Sequence, residues 1–268
     1  MKGISIIFVE KLKELNYKYY IRKVITMFES YENINNFWFE NGASTVTFLE
    51  YNDGLLAFDS SLYPKKFEEM AKIMEEKTSK RLKKVFFTHF HPDHTFGAIF
   101  SRRKFDLYMT KKTFDLLNSM DKEFLKESSK MADFNFNNFK EAFKNKNTII
   151  FESNLFVIFQ NQILFANNIG GHTMDSTIYE IKPNGFLITG DLVFSKVHAE
   201  ILNSNIDEWI SNLENMKKLQ ISRIFPGHGQ PEDKKILDEQ IKYLKKRKEG
   251  VTLKKEYSDY SLSELIDE

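Results

Sequence analysis

The segment Thr-His-Phe-His-Pro-Asp-His, residues 88–94, holds three of the six histidines in this chain of 268 residues. Imidazole and carboxylate are side-chain groups that bind divalent metal ions. Closely spaced imidazoles repel one another when protonated, and bound cations remove that penalty by keeping the rings neutral. His89 and His91 can lie on one side of a strand end, while Asp93 and His94 lie across the following turn. This one loop can therefore present ligands to two metal ions.

Further candidate ligands follow three other strand-like runs, QILFA, FLIT and SRIF. Loops at the carboxyl ends of strands in an α/β sheet converge on one crevice, and glycines beside the candidates permit close backbone approach. A lone histidine near a strand end is more often a buried residue with a satisfied hydrogen bond than a ligand. The convergence of four strand ends favours a metal site instead. Its candidate ligands are His89, His91, Asp93, His94, His172, Asp191 and His228.

The composition narrows the class of protein. Apolar residues make up 41% of the chain, which is enough for a substantial core. The formal net charge of +1 gives no overall field that attracts nucleic acid or a membrane, so the expected partner is a small-molecule substrate. The absence of cysteine excludes disulfides, thiolate nucleophiles and thiolate metal ligands. The first apolar run, ISIIFVE, is too short to span a bilayer and lacks a cleavage site, which predicts a cytoplasmic location.

Strand-like and helix-like segments alternate along the chain, which predicts a single α/β domain over residues 1–268. Two β-rich runs, 45–50 and 55–58, are joined by an Asn-Asp-Gly hairpin turn. A helix is expected from Pro64, because proline suits the first helical position. Phe67, Met70, Ile73 and Met74 share one face of that helix.

The second half of the chain is predicted to be richer in strands. Residues 101–147 are expected to form a helical segment rich in Phe, Lys and Asn. After it come several short strands, the amphipathic helix IDEWISNLENMKKL, the strand SRIF and a closing helix. Residues 251–268 are expected to form a polar C-terminal tail.

In combination, Thr-His-Phe-His-Pro-Asp-His, Gly-Gly-His-Thr, Gly-Asp and Pro-Gly-His-Gly resemble the metal motifs of the metallo-β-lactamase superfamily, from about residue 37 to 246. The resemblance implies a four-layer αβ/βα sandwich with the site at one edge. It implies Asp59 as the acidic residue after an early strand. It also assigns three ligands to each of two metals, with Asp191 bridging them. The first set is His89, His91 and His172, and the second is Asp93, His94 and His228.

Two divalent ions about 3.5–4 Å apart can share a bridging water and lower its pKa, so that the resulting hydroxide attacks a carbonyl or phosphoryl centre. Asp93 is the expected catalytic residue, since one carboxylate oxygen can bind metal while the other orients the nucleophile or takes its proton. Zinc is the expected metal, with iron or manganese as alternatives. The expected function is metal-dependent hydrolysis of an ester, thioester, lactone or phosphodiester.

Comparison with the motifs of individual branches narrows the choice of branch within the superfamily. The β-lactamases with a cysteine metal ligand are excluded by composition, whereas a cysteine-free lactamase branch stays open. Glyoxalase II would show a proline and a second histidine after Gly-Gly-His-Thr, where this chain has Met174-Asp175-Ser176-Thr177. An alternative function is iron-dependent oxidation of the sulfur dioxygenase type, and a binding protein without catalysis is a third reading.

Two further features could contact a substrate. His198, seven residues after Asp191, is interpreted either as a packed histidine near the rim or as a substrate-binding residue. The aromatic residues of segment 134–143 are expected to be core more often than a substrate lid. A lid would indicate a substrate with an acyl chain.

Overall fold

The computed structural model describes residues 26–39, 42–122, 125, 138–159, 161–202 and 204–251. The first strands are β1 (Thr26–Tyr31), β2 (Ile34–Phe39), β3 (Val46–Tyr51), β4 (Gly54–Phe58), β5 (Leu82–Phe86) and β6 (Asp106–Thr110). The later strands are β7 (Asn147–Phe151), β8 (Asn154–Phe159), β9 (Gln162–Asn168), β10 (Thr177–Lys182), β11 (Phe186–Phe194) and β12 (Arg223–His228). The helices are α1 (Pro64–Thr78), α2 (Pro92–Phe100), α3 (Lys111–Ser119), α4 (Phe139–Lys144), α5 (Ile206–Met216) and α6 (Ile236–Lys248).

The strands form two mixed sheets. One has seven strands in the order β1-β2-β3-β4-β5-β6-β7, and the other has five in the order β12-β11-β10-β9-β8. Hairpins make β1 to β4 antiparallel, while β5, β6 and β7 follow in parallel through helical crossovers. In the second sheet β11 and β12 are parallel, with α5 between them. The carboxyl ends of β5 and β12 can thus deliver loops to one edge of the molecule.

Apolar side chains divide the molecule into layers. Between the sheets lie residues such as Phe58, Phe86, Tyr179 and Phe225. Helices α1, α2 and α4 pack on the outer face of the seven-stranded sheet, and α5 and α6 pack on that of the five-stranded sheet. The order helix, sheet, sheet, helix is the four-layer αβ/βα sandwich, so the predicted fold class is confirmed.

Helix α1 illustrates how local sequence sets these elements. Pro64 occupies its first turn, and Ser79 ends it in a left-handed conformation with a φ of 57°. Phe67, Met70 and Met74 are buried at helical spacing. The predicted start and buried face of this helix are therefore confirmed.

The prediction of a helical segment over residues 101–147 was wrong in part. Residues Asp106–Thr110 form β6, which pairs in parallel with both β5 and β7. Leu107 and Met109 alternate into the outer core, and the strand pairing outweighs the helical composition around them. The segment does contain α3 and α4. Strand β7 begins at its last residue, Asn147.

Other predicted boundaries also differ from the structure. Strand β11 continues past Thr189 to Phe194, with irregular pairing to β12 at Gly190, and β12 includes His228. Strands β1 and β2 lie before the first predicted strand. The run ISIIFVE, residues 134–137 and the tail beyond residue 251 lie outside the described residues. None of the described helices is long and apolar enough to cross a membrane.

Candidate metal centre

The loop after β5 carries four of the candidate ligands. His89 and His91 lie between β5 and α2, and His91 directly precedes the first residue of the helix. Proline at the first helical position starts α2 immediately, which places Asp93 and His94 in its first turn. The strand-to-helix transition is thus short enough to present all four side chains together.

Asp59, just past the end of β4, holds this loop in place. Its Oδ1 accepts the Thr88 backbone N–H at 2.8 Å, and its Oδ2 accepts the Thr88 hydroxyl at 2.8 Å. The same Oδ2 lies 2.8 Å from Nδ1 of His94. One buried carboxylate therefore fixes both the start of the loop and the ring of His94.

Three other segments complete the cluster. His172 follows β9 after two glycines, Asp191 lies within β11, and His228 is the last residue of β12. Together with the loop after β5, they bring all seven candidate ligands to one edge of the two sheets. Their side-chain atoms form two groups, each with atoms within 4.8 Å of one another. The groups are His89, His91, His172 and Asp191, and Asp93, His94 and His228.

In the first group, His91 points Nδ1 at its neighbours. This atom lies 2.9 Å from His89 Nε2 and 3.2 Å from His172 Nε2. Asp191 Oδ2 lies 3.7 Å from His89 Nε2 and 3.5 Å from His172 Nε2. A tetrahedral zinc ion with bonds of about 2.0–2.1 Å would separate its ligand atoms by about 3.3–3.4 Å. The observed separations are on this scale.

The second group is arranged around the other oxygen of Asp191. Its Oδ1 lies 3.0 Å from His94 Nε2 and 3.3 Å from His228 Nε2. Asp93 Oδ2 lies 3.5 Å from His94 Nε2 and 3.4 Å from His228 Nε2. The carboxylate of Asp191 therefore faces both groups, with one oxygen toward each.

The outer ring nitrogens determine where the lone pairs point. His172 Nδ1 donates to the Glu200 carbonyl at 3.1 Å, and His228 Nδ1 donates to the Gly42 carbonyl at 2.7 Å. Carbonyl oxygens only accept, so Nδ1 carries the proton in both rings and Nε2 presents its lone pair. Thr88 donates its hydroxyl proton to Asp59 and can accept from His89 Nδ1 at 3.0 Å. These hydrogen bonds fix the tautomers as partners outside a metal site do.

This arrangement of donors fits divalent cations. The Nε2 lone pairs of His89 and His172 both face Nδ1 of His91, which could donate a proton to only one of them. Within the described residues, His94 Nε2 and Asp191 Oδ1 are buried and make no well-directed hydrogen bond, although they lie 3.0 Å apart. Buried polar atoms without a partner are costly, and a cation in each group would satisfy them.

Burial and charge divide the histidines into two kinds. Burial lowers the pKa of His172 to about 3 and holds that of His89 well below its usual value, which keeps both rings neutral as metal ligands require. Burial would also lower the pKa of His94, but the Asp191 and Asp93 carboxylates raise it well above its usual value. Burial raises and the surrounding imidazoles lower the pKa of Asp191, and the imidazoles prevail. The first group thus combines neutral nitrogen donors with the ionised carboxylate of Asp191. In the second group burial opposes protonation, but the carboxylates raise the pKa of His228 as well as that of His94, so these rings are in a field that favours a positive charge.

Glycine at position 227 allows Asp191 to reach this place. A Cβ atom at Gly227 would lie 2.0 Å from Asp191 Oδ1. Gly190 has a φ of 51°, and a Cβ there would lie 2.4 Å from the Thr88 hydroxyl oxygen. Both positions exclude larger residues because backbone and ligands approach so closely.

The comparison with known proteins agrees with this geometry. The sequence model of the metallo-β-lactamase superfamily matches residues 41–228, which is most of the chain and spans all seven candidate ligands. The chain belongs to the metallo-β-lactamase superfamily.

Individual members of the superfamily resemble the chain over most of their length. It is 27% identical over 204 residues to a metallo-β-lactamase type 2 of Bacillus sp. (strain 170), covering 74% of this chain and 71% of the relative. It is 26% identical over 206 residues to the type 2 enzyme of Bacillus cereus, covering the same shares.

Solved metallo-β-lactamases share the fold. The enzyme from Pontibacter korlensis superposes with a TM-score of 0.60 at 17% identity, covering 83% of this chain and 94% of that one. The enzyme IND-7 superposes with a TM-score of 0.65 at 16% identity, covering 84% and 99%.

His198 lies apart from the two groups of this superfamily member. Its half-buried ring places Nδ1 3.2 Å from the Tyr243 hydroxyl, on α6. Its suggested contact with substrate stays a prediction. In the described part of segment 134–143, Phe139 and Phe143 are buried in the outer core against α2 and α3. These two side chains are core, as the more frequent reading of the sequence expected.

Several residues that support the ligands could not be identified from the sequence. Trp209 lies with its ring centroid 5.3 Å from that of His172, and the Glu200 carbonyl accepts the Nδ1 proton of that ring. The Ser44 hydroxyl donates to the Asp93 carbonyl at 2.6 Å. Every residue has a backbone carbonyl, so the residue type at position 200 does not reveal this contact. Thr88, by contrast, could have been identified as a supporting residue from the sequence, because it directly precedes His89.

Proposed function

We propose that the protein is a metal-dependent hydrolase with a dinuclear centre. The observation that carries the proposal is the carboxylate of Asp191, whose two oxygens face the two groups of imidazoles at 3.0–3.7 Å. The two groups of candidate ligands that meet at this carboxylate comprise seven residues, which is enough for two cations and more than one tetrahedral ion can bind.

Zinc is the proposed metal, with iron and manganese as alternatives that imidazole and carboxylate also bind. The residues proposed to hold the first ion are His89, His91 and His172, those for the second are Asp93, His94 and His228, and Asp191 is shared. When bound, the two ions would supply a water of lowered pKa as nucleophile and stabilise charge on the attacked oxygen.

The chain's own residues would then orient the reactants. Asp93 has the more accessible carboxylate, with 11% of its side chain exposed against 4% for Asp191. Its Oδ2 lies near His94 and His228, and this carboxylate is the group that we propose accepts a proton from the nucleophile. Asp59 keeps the ring of His94 fixed while this occurs.

Two observations bear on the class of substrate: the set of candidate metal ligands and the names of the relatives found by sequence comparison. A ligand set with a shared aspartate and no cysteine resembles that of the glyoxalase II, lactonase and phosphodiesterase branches. This resemblance favours an ester, thioester, lactone or phosphodiester as the substrate. The names of the two Bacillus relatives favour a second candidate, opening of a β-lactam amide by a cysteine-free site. Both reactions attack an electrophilic carbonyl or phosphoryl centre.

One experiment tests the proposal and its alternatives. Protein purified without added metal is analysed for its metal content and then assayed with a panel of chromogenic esters, thioesters, lactones, bis-phosphate esters and a chromogenic cephalosporin. Two metal ions per chain with turnover of at least one panel substrate is the expected result. One iron per chain with oxygen consumption would instead identify the sulfur dioxygenase type of reaction. A protein that binds no metal at micromolar concentration would overturn the proposal.

A further inference from the structure

The segment that follows β11 supports the first group through its backbone. Residues 195–202 form no regular helix or strand, yet the Glu200 carbonyl accepts the Nδ1 proton of His172 at 3.1 Å. The His172 ring also packs edge-on against the ring of Trp209, whose Nε1 donates to the Leu192 carbonyl. Trp209 lies on helix α5, whereas the Glu200 carbonyl lies on a segment without regular structure. The position of this carbonyl therefore depends on contacts between the segment and the rest of the protein.

Tyr243 on α6 provides such a contact. Its hydroxyl oxygen accepts the backbone N–H of Ala199, the residue before Glu200, at 3.1 Å. The same oxygen lies 3.2 Å from Nδ1 of His198. A phenol has one proton to donate and two lone pairs. It can therefore accept from Ala199 and, in the tautomer of His198 whose proton is on Nε2, donate to Nδ1 of His198 at the same time.

The Tyr243 ring is itself held firmly. Tyr243 is 2% exposed and belongs to the core between α6 and the five-stranded sheet, together with Val193, Leu237 and Leu244. A side chain packed in this way has few alternative rotamers, so its hydroxyl is a fixed point for the irregular segment. Helix α6 contributes none of the seven candidate ligands.

We propose that Tyr243 is a positioning residue for His172. Its hydroxyl fixes the His198–Ala199 peptide, which restrains the chain that leads to the Glu200 carbonyl. That carbonyl fixes the Nδ1 proton of His172, and Nε2 is thereby aimed at the first metal. This also gives His198 a role as the second hydrogen-bond partner of the same hydroxyl. The inference rests on the proposed function, because His172 must be a ligand for its orientation to affect metal binding.

The size of the effect can be bounded. Removal of a direct hydrogen-bond partner of a metal ligand costs about 10–100-fold in metal affinity or activity. Tyr243 acts less directly, because the peptide it binds lies two peptide units before the one that carries the Glu200 carbonyl. Loss of its hydroxyl should therefore weaken metal binding by about tenfold, the lower end of that range. The second group should change little, since Gly42 and Asp59 hold its histidines.

The test compares Tyr243→Phe with the matched control Tyr108→Phe. Both variants lose one phenol hydroxyl and keep the ring, and the Tyr108 hydroxyl accepts from Lys84 Nζ at 3.1 Å on β5, before the ligand loop. Metal-free protein is titrated with zinc against a chromophoric chelator, which yields the two dissociation constants. We expect one constant to rise about tenfold in Tyr243→Phe and neither to change in the control. Equal constants in both variants and the wild type would overturn the inference.

A second measurement needs no metal. In metal-free protein labelled with nitrogen-15 histidine, the Nδ1 proton of His172 is identified by its loss in His172→Ala. Its exchange with solvent should be faster in Tyr243→Phe than in Tyr108→Phe, and equal rates would count against positioning by Tyr243. Thermal unfolding of both variants checks that each is folded. A wild-type protein that binds no zinc would overturn the proposed function, whereas this exchange rate still decides whether Tyr243 positions the ring.

Discussion

Asp191 Oδ1 lies 3.0 Å from Nε2 of His94, and both atoms are buried without a well-directed hydrogen bond in the described part of the chain. The other carboxylate oxygen faces the first group of histidines. Each oxygen of this one side chain therefore has its own set of nitrogen neighbours. Replacing one oxygen by a group that cannot bind metal should separate the two halves of the centre.

Asp191→Asn is the variant that makes this replacement. The amide oxygen can still serve one group, but the amide nitrogen has no lone pair for the other. Four-ligand zinc sites bind with about 10–16 kcal/mol, or about 3 kcal/mol per ligand, so one of the two ions should bind about a hundredfold more weakly. Metal content after dialysis measures the effect. Asp238→Asn, whose exposed carboxylate pairs with Lys217, should keep two ions per chain.

Asp93→Ala tests the link between metal binding and proton transfer. It removes a neighbour of His94 and His228 but leaves the first group intact. Turnover should fall by about 10²–10⁴-fold, the range for loss of a general acid or base. Kinetics at saturating zinc separate this loss from weaker metal binding, and Asp93→Asn preserves the shape while removing the base. Full activity in the alanine variant would show that Asp93 has no catalytic role.

Gly227→Ala tests the close approach between β12 and Asp191. The new methyl group would lie 2.0 Å from Asp191 Oδ1, so the carboxylate must move. We expect at least tenfold weaker zinc binding and a loss of about 1–3 kcal/mol in the free energy of unfolding, as for overpacked sites. The control Gly250→Ala has no atom within 4 Å of the new methyl group. Its left-handed backbone should cost some stability while zinc binding stays as in the wild type. If zinc binding is unchanged in Gly227→Ala, the position of the Asp191 carboxylate beside Gly227 is not required for zinc binding.

The fold class and the seven clustered residues could be predicted because short motifs carried them. The residues of the His89–His94 loop are adjacent in sequence, and His172, Asp191 and His228 each follow a recognisable apolar run. Strand β6 could not be predicted in the same way. Its five residues lie among helix-like neighbours, and they become a strand because β5 and β7 pair with them on either side.

The supports of the site were also beyond prediction from sequence. Ala199 and Tyr243 are 44 residues apart and meet through a backbone N–H, a group that every residue except proline has. The same holds for the Gly42 carbonyl beneath His228, across 186 residues. Spacing reveals ligands that share a motif, whereas the atoms that orient them depend on how the layers pack.

Asp175, in the turn between β9 and β10, gives the protein a specific pH dependence. Burial raises the pKa of its carboxyl to about 6, although the hydroxyls of Thr173 and Thr113 oppose the rise. The folded protein thus retains a proton that the unfolded chain, with an ordinary Asp pKa of about 3.9, releases earlier. This contribution to stability is present below about pH 4 and is lost as the pH rises through about 6.

Asp175→Asn removes this titration and keeps the shape of the side chain. Measured by urea unfolding of metal-free protein, the stability of the variant relative to the wild type should rise by about 2–3 kcal/mol between pH 4 and pH 7. The histidines of the metal centre titrate equally in both proteins, so their contribution cancels in the difference. Asp115→Asn, whose exposed carboxylate pairs with Lys111, should show no comparable change. A difference between Asp175→Asn and the wild type that is the same at both pH values would show that folding does not raise the pKa of Asp175.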